Sequence, residues 1–203
     1  MSSDPLEVEM EERTRRIVET AIELAERGGF EAVRLRDVAA HAEVALGTLY
    51  RRFRSKDDLL VAALEMETRA LDERVRQRPP QGADAAERLG NFFAVASRGM
   101  IRRPNLSRAM LRAAASGEPA LAKKVTNFHS RLQKMVIGAL RGAPVDEKNP
   151  VYTEREELVG DVLQHVWFSL MVGWSGGQHT PATIQEKMRA SVKILLEGAG
   201  EEE

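Results

Sequence analysis

The chain has 203 residues, 30% of them charged and 43% apolar, with a formal net charge of −1 and no cysteine. Those values exclude disulfides and thiolate metal sites, and they fit a globular protein of one or two domains with ample material for a buried core. No apolar run approaches the roughly 18 residues of a membrane span, and the acidic N-terminus (Asp4, Glu7, Glu9, Glu11, Glu12) is the opposite of a signal peptide, so a cytoplasmic protein is expected.

Residues 1–10 read as a disordered arm. A first helix is expected from Glu11 to Arg27, where Ile17, Ala21, Leu24 and Gly28 form one stripe beside Val18, Ile22 and Ala25. Gly28-Gly29 ends it as a C-cap would. Phe30 and Val33 follow and belong in a small core shared with the next two helices. Arg13, Arg15 and Arg16, near the start of this helix, either reach phosphate or form a solvated face.

The most informative stretch is VRLRDVAAHAEVALGTLYRRFRSKDDLL, from Val33 to Leu60. Leu35, Val38, Ala39 and Ala42 make one apolar stripe at helical spacing. Glu43-Val44-Ala45 interrupts it, and Leu46, Leu49, Tyr50 and Phe53 start a second. Two short helices about a tight turn are the helix-turn-helix arrangement, whose second helix enters the DNA major groove. That second helix carries small residues for close approach (Gly47, Thr48), a hydroxyl (Tyr50) and a run of cations (Arg51, Arg52, Arg54, Lys56). Over residues 34–56 six Arg or Lys face two acids, so the basic charge is local although the whole is near neutral. The competing reading is an amphipathic helix pair of any helical bundle with a solvated Arg face.

Ser55 reads as an N-cap with Asp58 three residues on. The helix it starts, holding Leu59, Leu60, Ala63, Leu64, Met66, Ala70, Leu71 and Val75, connects the head to the rest. Arg78-Pro79-Pro80-Gln81-Gly82 breaks it. Five further helices are expected at roughly 84–102, 105–116, 119–141, 153–175 and 183–197, and 198–203 reads as a disordered tail. No strand pattern or repeat is present. The expected fold is therefore all-α, with a helix-turn-helix domain over 11–56 and a helical domain over 57–197.

Phe92, Phe93, Met100, Leu111, Phe128, Leu132, Met135, Trp167 and Met171 are large, soft residues of the second domain that serve either as core or as the lining of an apolar pocket. On 153–175, Val159, Val162, Val166 and Leu170 recur at helical spacing beside a second stripe, so the helix is expected to be buried on more than one side. The last helix has one stripe of Ile184, Met188, Val192 and Leu195. His165 and Asp161 lie four apart and His129 sits in the same half. One His and one Asp are too few for a metal site, and no nucleophile elbow or phosphate loop appears. An enzyme and a helical interaction module without DNA specificity are the alternatives. No metal, cofactor or catalytic residue is expected.

The residues 13–64 resemble the DNA-binding domain of the TetR/AcrR family of one-component repressors. The likeness rests on the Gly28-Gly29-Phe30 turn, the Val38-Ala39 pair, the Gly47-Thr48-Leu49-Tyr50 tetrapeptide and Phe53 with Lys56, all in order and in register. It implies an all-α homodimer that binds a palindromic double-stranded operator, with half-sites about one helical turn apart, and is released by a small-molecule effector. It implies that Thr48 and Tyr50 touch bases or phosphate, that Lys56 grips phosphate, and that Arg34, Arg36 and Gly47 lie at the DNA. Arg51 and Arg52 are both candidates for a guanine contact. It also implies that the penultimate stripe (Val159, Val162, Val166, Leu170) and the last (Ile184, Met188, Val192, Leu195) pair with their copies. The apolar second half suits a hydrophobic effector, a steroid or an acyl-CoA in kind. The sequence departs from the usual pattern at Ala45, where Ser is frequent, and at Leu46, where a polar residue is usual.

Overall fold

The computed structural model describes residues 5–145 and 151–198. Among these, nine α-helices follow one another without a strand: α1 (Pro5–Ala32), α2 (Leu35–His41), α3 (Leu46–Arg52), α4 (Lys56–Gln77), α5 (Ala85–Ile101), α6 (Pro104–Ala114), α7 (Ala122–Arg141), α8 (Glu154–Ser175) and α9 (Pro181–Gly198). A 3-10 turn over Pro119–Leu121 leads into α7. The first helix begins at Pro5, not Glu11, so the expected arm is helical over 5–10. Residues 1–4, and 199–203 of the expected tail, lie outside the described residues.

The breaks have local causes. Gly28 and Gly29 leave helical geometry, Gly29 at φ 67° and ψ −157°, a conformation open only to glycine, and one short turn continues to Ala32. Gly142, at φ 75°, ends α7 with its N–H and that of Ala143 on the Gly138 carbonyl. Side chains cap the N-termini of α5 and α8, among others. Asp84 accepts from the Glu87 backbone N–H at the start of α5, and Thr153 and Glu156 form a reciprocal capping box on α8.

The chain divides into two compact units. One comprises residues up to Met66 together with Arg103–Val125; the other comprises Glu67–Arg102 and everything from Thr126. The head therefore takes in more than 11–56. Leu59, Leu60, Val61, Ala63 and Leu64 of α4 are 0–3% exposed, and α6, strongly amphipathic, packs its Leu106, Met110 and Leu111 face on α1. Arg103 pairs with Glu26 and Arg112 with Glu31, so polar contacts rim the same α1–α6 seam. In the second unit α9 packs on α5 and α8, and Phe92, Phe93, Leu132, Ile137, Leu163, Met171 and Ile184 form the core. The chain passes from one unit to the other within the unbroken α4.

Candidate nucleic-acid interface

The helix-turn-helix is built on a core of few side chains. Val38 and Ala39 of α2, Leu49 of α3 and Phe53 are all at most 4% exposed, beside Ile17, Ala21 and Val33. The turn between α2 and α3 is closed by hydrogen bonds from the Ala42, Glu43 and Val44 backbones to Val38, Ala40 and Ala39. Glu43 turns the chain in the left-handed region at φ 54°, a conformation that costs a residue with a side chain about a kcal/mol or more. Neither helix has a side-chain N-cap: Arg34 precedes α2 and Ala45 precedes α3, both extended.

With Leu49 inward, the other residues of α3 turn away from the core. Gly47, Tyr50, Arg51 and Arg52 are exposed, Tyr50 by half its surface, and Thr48 is half-buried. A Cβ placed on Gly47 meets nothing within the chain. Its own packing therefore does not require a glycine there, and the bare backbone is left for an outside surface to approach. Arg51 Nη2 donates to Thr48 Oγ1 at 3.1 Å, holding the guanidinium along the helix face. Arg34 and Arg36 are exposed on the α2 side. The structure thus brings seven of the eight expected residues to exposed or partly exposed positions on the two short helices or, for Arg34, just before the first. Lys56 differs. Its Nζ donates to the Phe30 carbonyl at 3.0 Å, lies 4.2 Å from the Phe30 ring centroid and is 3.6 Å from Glu31. It fastens the end of α1 to the start of α4.

The second unit separates the remaining candidates. Phe92, Phe93, Phe128, Leu132, Met135, Trp167 and Met171 are buried in its core, and Met100 is half-buried. Leu111 is not with them, because α6 is amphipathic toward α1 and lies in the head unit. Trp167 Nε1 donates to Ser97 Oγ at 2.9 Å, both fully buried. His129 Nδ1 meets Gln164 Oε1 at 2.5 Å, and Gln164, 1% exposed, donates onward to His165 and Asp161. Burial holds the His129 imidazole below its ordinary pKa, against the Gln164 hydrogen bond, which favours the protonated ring. Among the described residues no three His, Cys, Asp or Glu are placed to hold a metal ion.

The expected subunit-facing stripes divide into buried and partly exposed residues. Val159, Leu170, Ile184, Met188 and Val192 are at most 7% exposed within a single chain. These five are covered within the single chain, so their side chains offer no free surface to a partner. Val162, Val166 and Leu195 keep partial exposure. Leu158 of α8 and Ile194 of α9 are 60% and 71% exposed.

The comparisons with known proteins agree with this geometry. Residues 17–63 match the model of bacterial regulatory proteins of the tetR family, and 82–195 match the tetracyclin repressor-like C-terminal domain. The chain belongs to the TetR family of transcriptional regulators. It is 34% identical to the HTH-type transcriptional repressor KstR of Rhodococcus jostii (strain RHA1), over 91% of this chain and 83% of that protein. Its fold matches a TetR transcriptional regulator from Rhodococcus sp. RHA1 with a TM-score of 0.81, at 26% identity over 93% of this chain and 97% of that one. It also matches Thermus thermophilus FadR, a TetR-family repressor solved with lauroyl-CoA, with a TM-score of 0.72 at 24% identity, covering 91% of this chain and 94% of that one. These relatives are regulators and the chain is not an enzyme.

In this TetR-family head the departures noted in the sequence have visible effects. Ala45 leaves α3 uncapped by a side chain where Ser would accept an N–H, and Leu46 is half-buried beside the turn. Sequence reading missed the start of α4 as a junction. Ser55 Oγ does accept from the Asp58 backbone N–H at 3.0 Å. Asp58, 7% exposed, reaches past the cap to the Arg54 N–H at 2.9 Å and takes the Lys124 ammonium at 2.5 Å, with Lys124 also 5.3 Å from the Phe53 ring. No spacing rule links Asp58 to Lys124. The one hint was an aspartate where a capping box favours the longer Glu or Gln.

Proposed function

We propose that the chain is a ligand-responsive repressor that binds a palindromic operator as a homodimer and is released by a hydrophobic small molecule. The observation that carries this reading is the outer face of α3, where a glycine unneeded by the chain's own packing lies among Thr48, Tyr50, Arg51 and Arg52. Gly47 admits the backbone to the groove, and Thr48 and Tyr50 touch bases or phosphate. Arg51 or Arg52 makes a bidentate guanine contact, and Arg34 and Arg36 hold the phosphates beside it. Lys56 grips phosphate only with the N–H groups not spent on Phe30. One seven-residue helix reads few base pairs, so two chains on a two-fold axis are required for useful specificity. Leu158, Val162 and Val166 on α8 with Ile194 and Leu195 on α9 supply the apolar surface for that pairing.

The effector belongs among the soft residues of the second unit, Phe92, Phe93, Met100, Phe128, Leu132, Met135, Trp167 and Met171. A steroid or an acyl-CoA suits such a lining, and the lauroyl-CoA bound by the T. thermophilus repressor supports the second class. The ligand acts only as far as it prefers one conformation over the other, and α4 offers a continuous path between the units. The test is stoichiometry and release on a duplex that the protein itself selects from a random pool. Native mass spectrometry is expected to find chains in multiples of two per duplex, freed by an acyl-CoA or a steroid. One chain per duplex, or retention in the presence of steroids, fatty acids and acyl-CoAs alike, contradicts the reading.

A further inference from the structure

Helix α3 is anchored in the head by little of its own. Leu49 is its one buried side chain, and no side chain caps its N-terminus. Its orientation is therefore set by the joint that follows it. Phe53 ends the helix in extended geometry with its side chain buried. The next N–H, that of Arg54, donates to Asp58 Oδ2 at 2.9 Å, so the first turn of α4 is tied back to the end of α3.

Asp58 is buried, and a carboxylate so placed costs free energy unless a positive charge faces it. Lys124, the third residue of α7, supplies that charge at Asp58 Oδ1, and its ammonium lies 5.3 Å from the Phe53 ring, within cation–π reach. One side chain thus touches both sides of the α3–α4 joint. The stability of α7 does not account for Lys124 being there. The first turn of α7 holds Lys123 and Lys124 and no acid, an arrangement that the helix dipole disfavours. Nor is Lys124 placed as a phosphate ligand, since its ammonium is spent on Asp58 and its side chain is 33% exposed.

We propose that Lys124 is a positioning residue for DNA recognition. Acting through Asp58, it holds the Phe53–Ser55 joint and so fixes the angle at which α3 presents Thr48, Tyr50, Arg51 and Arg52. This rests on the reading of α3 as the helix that reads DNA, and it adds a residue that does not touch the DNA. Without the ammonium, the Asp58 carboxylate turns toward water and the Arg54 N–H loses its acceptor. Helix α3 then pivots on Leu49 and Phe53 alone. The fold persists, because the buried Leu59, Leu60, Val61, Ala63 and Leu64 of α4 are untouched.

The experiment compares wild type, Lys124→Met and Lys124→Arg as full chains, each shown to be folded at the assay temperature. Two properties are read: amide exchange of Arg54 by NMR without DNA, and affinity for two duplexes of equal length. One duplex is enriched by wild type from a random library and the other has the same bases scrambled. In Lys124→Met, Arg54 is expected to exchange about ten-fold faster and affinity for the selected duplex to fall about ten-fold. Affinity for the scrambled duplex and the salt slope are expected to stay as in wild type. Lys124→Arg, which returns a cation, is expected to restore both properties. An ion pair that only stabilises the fold would lower the melting temperature and leave the affinity of the folded variant unchanged. A direct phosphate contact would weaken both duplexes alike and reduce the salt slope by about one. Either result overturns the inference, as does Arg54 exchange at the wild-type rate or a loss that Lys124→Arg does not restore. Wild type that enriches no sequence refutes the reading of α3 and with it this role for Lys124, a failure told apart from the others because Arg54 exchange is read without DNA.

Discussion

Helices α3 and α8 begin from similar sequences, apolar residues at helical spacing among polar ones, and end in opposite situations. In α3, seven residues long, Leu49 is the one buried side chain and the rest turn outward. In α8, 22 residues long, nine residues are buried, among them Gln164 and two glycines, while Leu158 stays 60% exposed. A short helix on a small core has one side to bury, so its outward face follows from its one apolar anchor. A long helix packed by several neighbours buries a broad arc, and spacing no longer tells which stripe meets its own chain and which is left for another.

The contrast is sharpest between neighbours. Leu49→Ala is expected to cost the fold about 2–5 kcal/mol, read by urea unfolding, because it opens a cavity in a core with little else to fill it. Tyr50→Ala, one residue on, is expected to leave stability within about 0.5 kcal/mol and to abolish sequence-specific DNA binding. Similar unfolding costs for the two would mean that α3 does not have an inner and an outer face. On α9 the same division sets Ile184, fully buried, against Ile194, 71% exposed. Ile184→Ala is expected to destabilise the chain by about 2–4 kcal/mol. Ile194→Glu should instead lower the self-association constant measured by sedimentation while the fold persists. If Ile194→Glu sediments as wild type does, this end of α9 lies outside any subunit contact.

Smaller effects test the polar contacts of the second unit. Trp167→Phe removes the indole donor and leaves Ser97 Oγ buried without that bond, for an expected loss of about 1 kcal/mol in unfolding free energy. Glu156, held at about pKa 2 by its hydrogen bonds to Arg141 and to the Thr153 backbone, has a folded value below its ordinary one. Its contribution is therefore present in full above the ordinary carboxylate range and is lost as pH falls from about 4.5 toward 2. At neutral pH Glu156→Gln is expected to unfold more easily than wild type by about 1 kcal/mol or less, as befits a group near the surface. The gap should close on acidification, and a gap that widens toward pH 2 would reverse the sign assigned to this pair.

Much of the head was legible because its signals are local. The Gly28-Gly29 break, the α2 and α3 stripes and the Ser55 cap each depend on a few adjacent residues. What escaped depends on contacts distant in sequence. Nothing local announces that α6 packs on α1, that Leu111 is therefore grouped with the head unit, or that Lys124 reaches Asp58. Nor does spacing reveal that Val159, Ile184, Met188 and Val192 are covered within the chain. Glu43 at positive φ was equally hidden, since a glutamate gives no sign of the left-handed turn that the packing of α2 on α3 imposes.

The central claim is that α3 reads DNA sequence. Selection of bound duplexes from a random library, run in parallel with wild type and Tyr50→Ala, tests it most directly. The account predicts a palindromic sequence enriched by wild type and absent with the variant. No enriched sequence with wild type, or the same sequence enriched by both proteins, would contradict it.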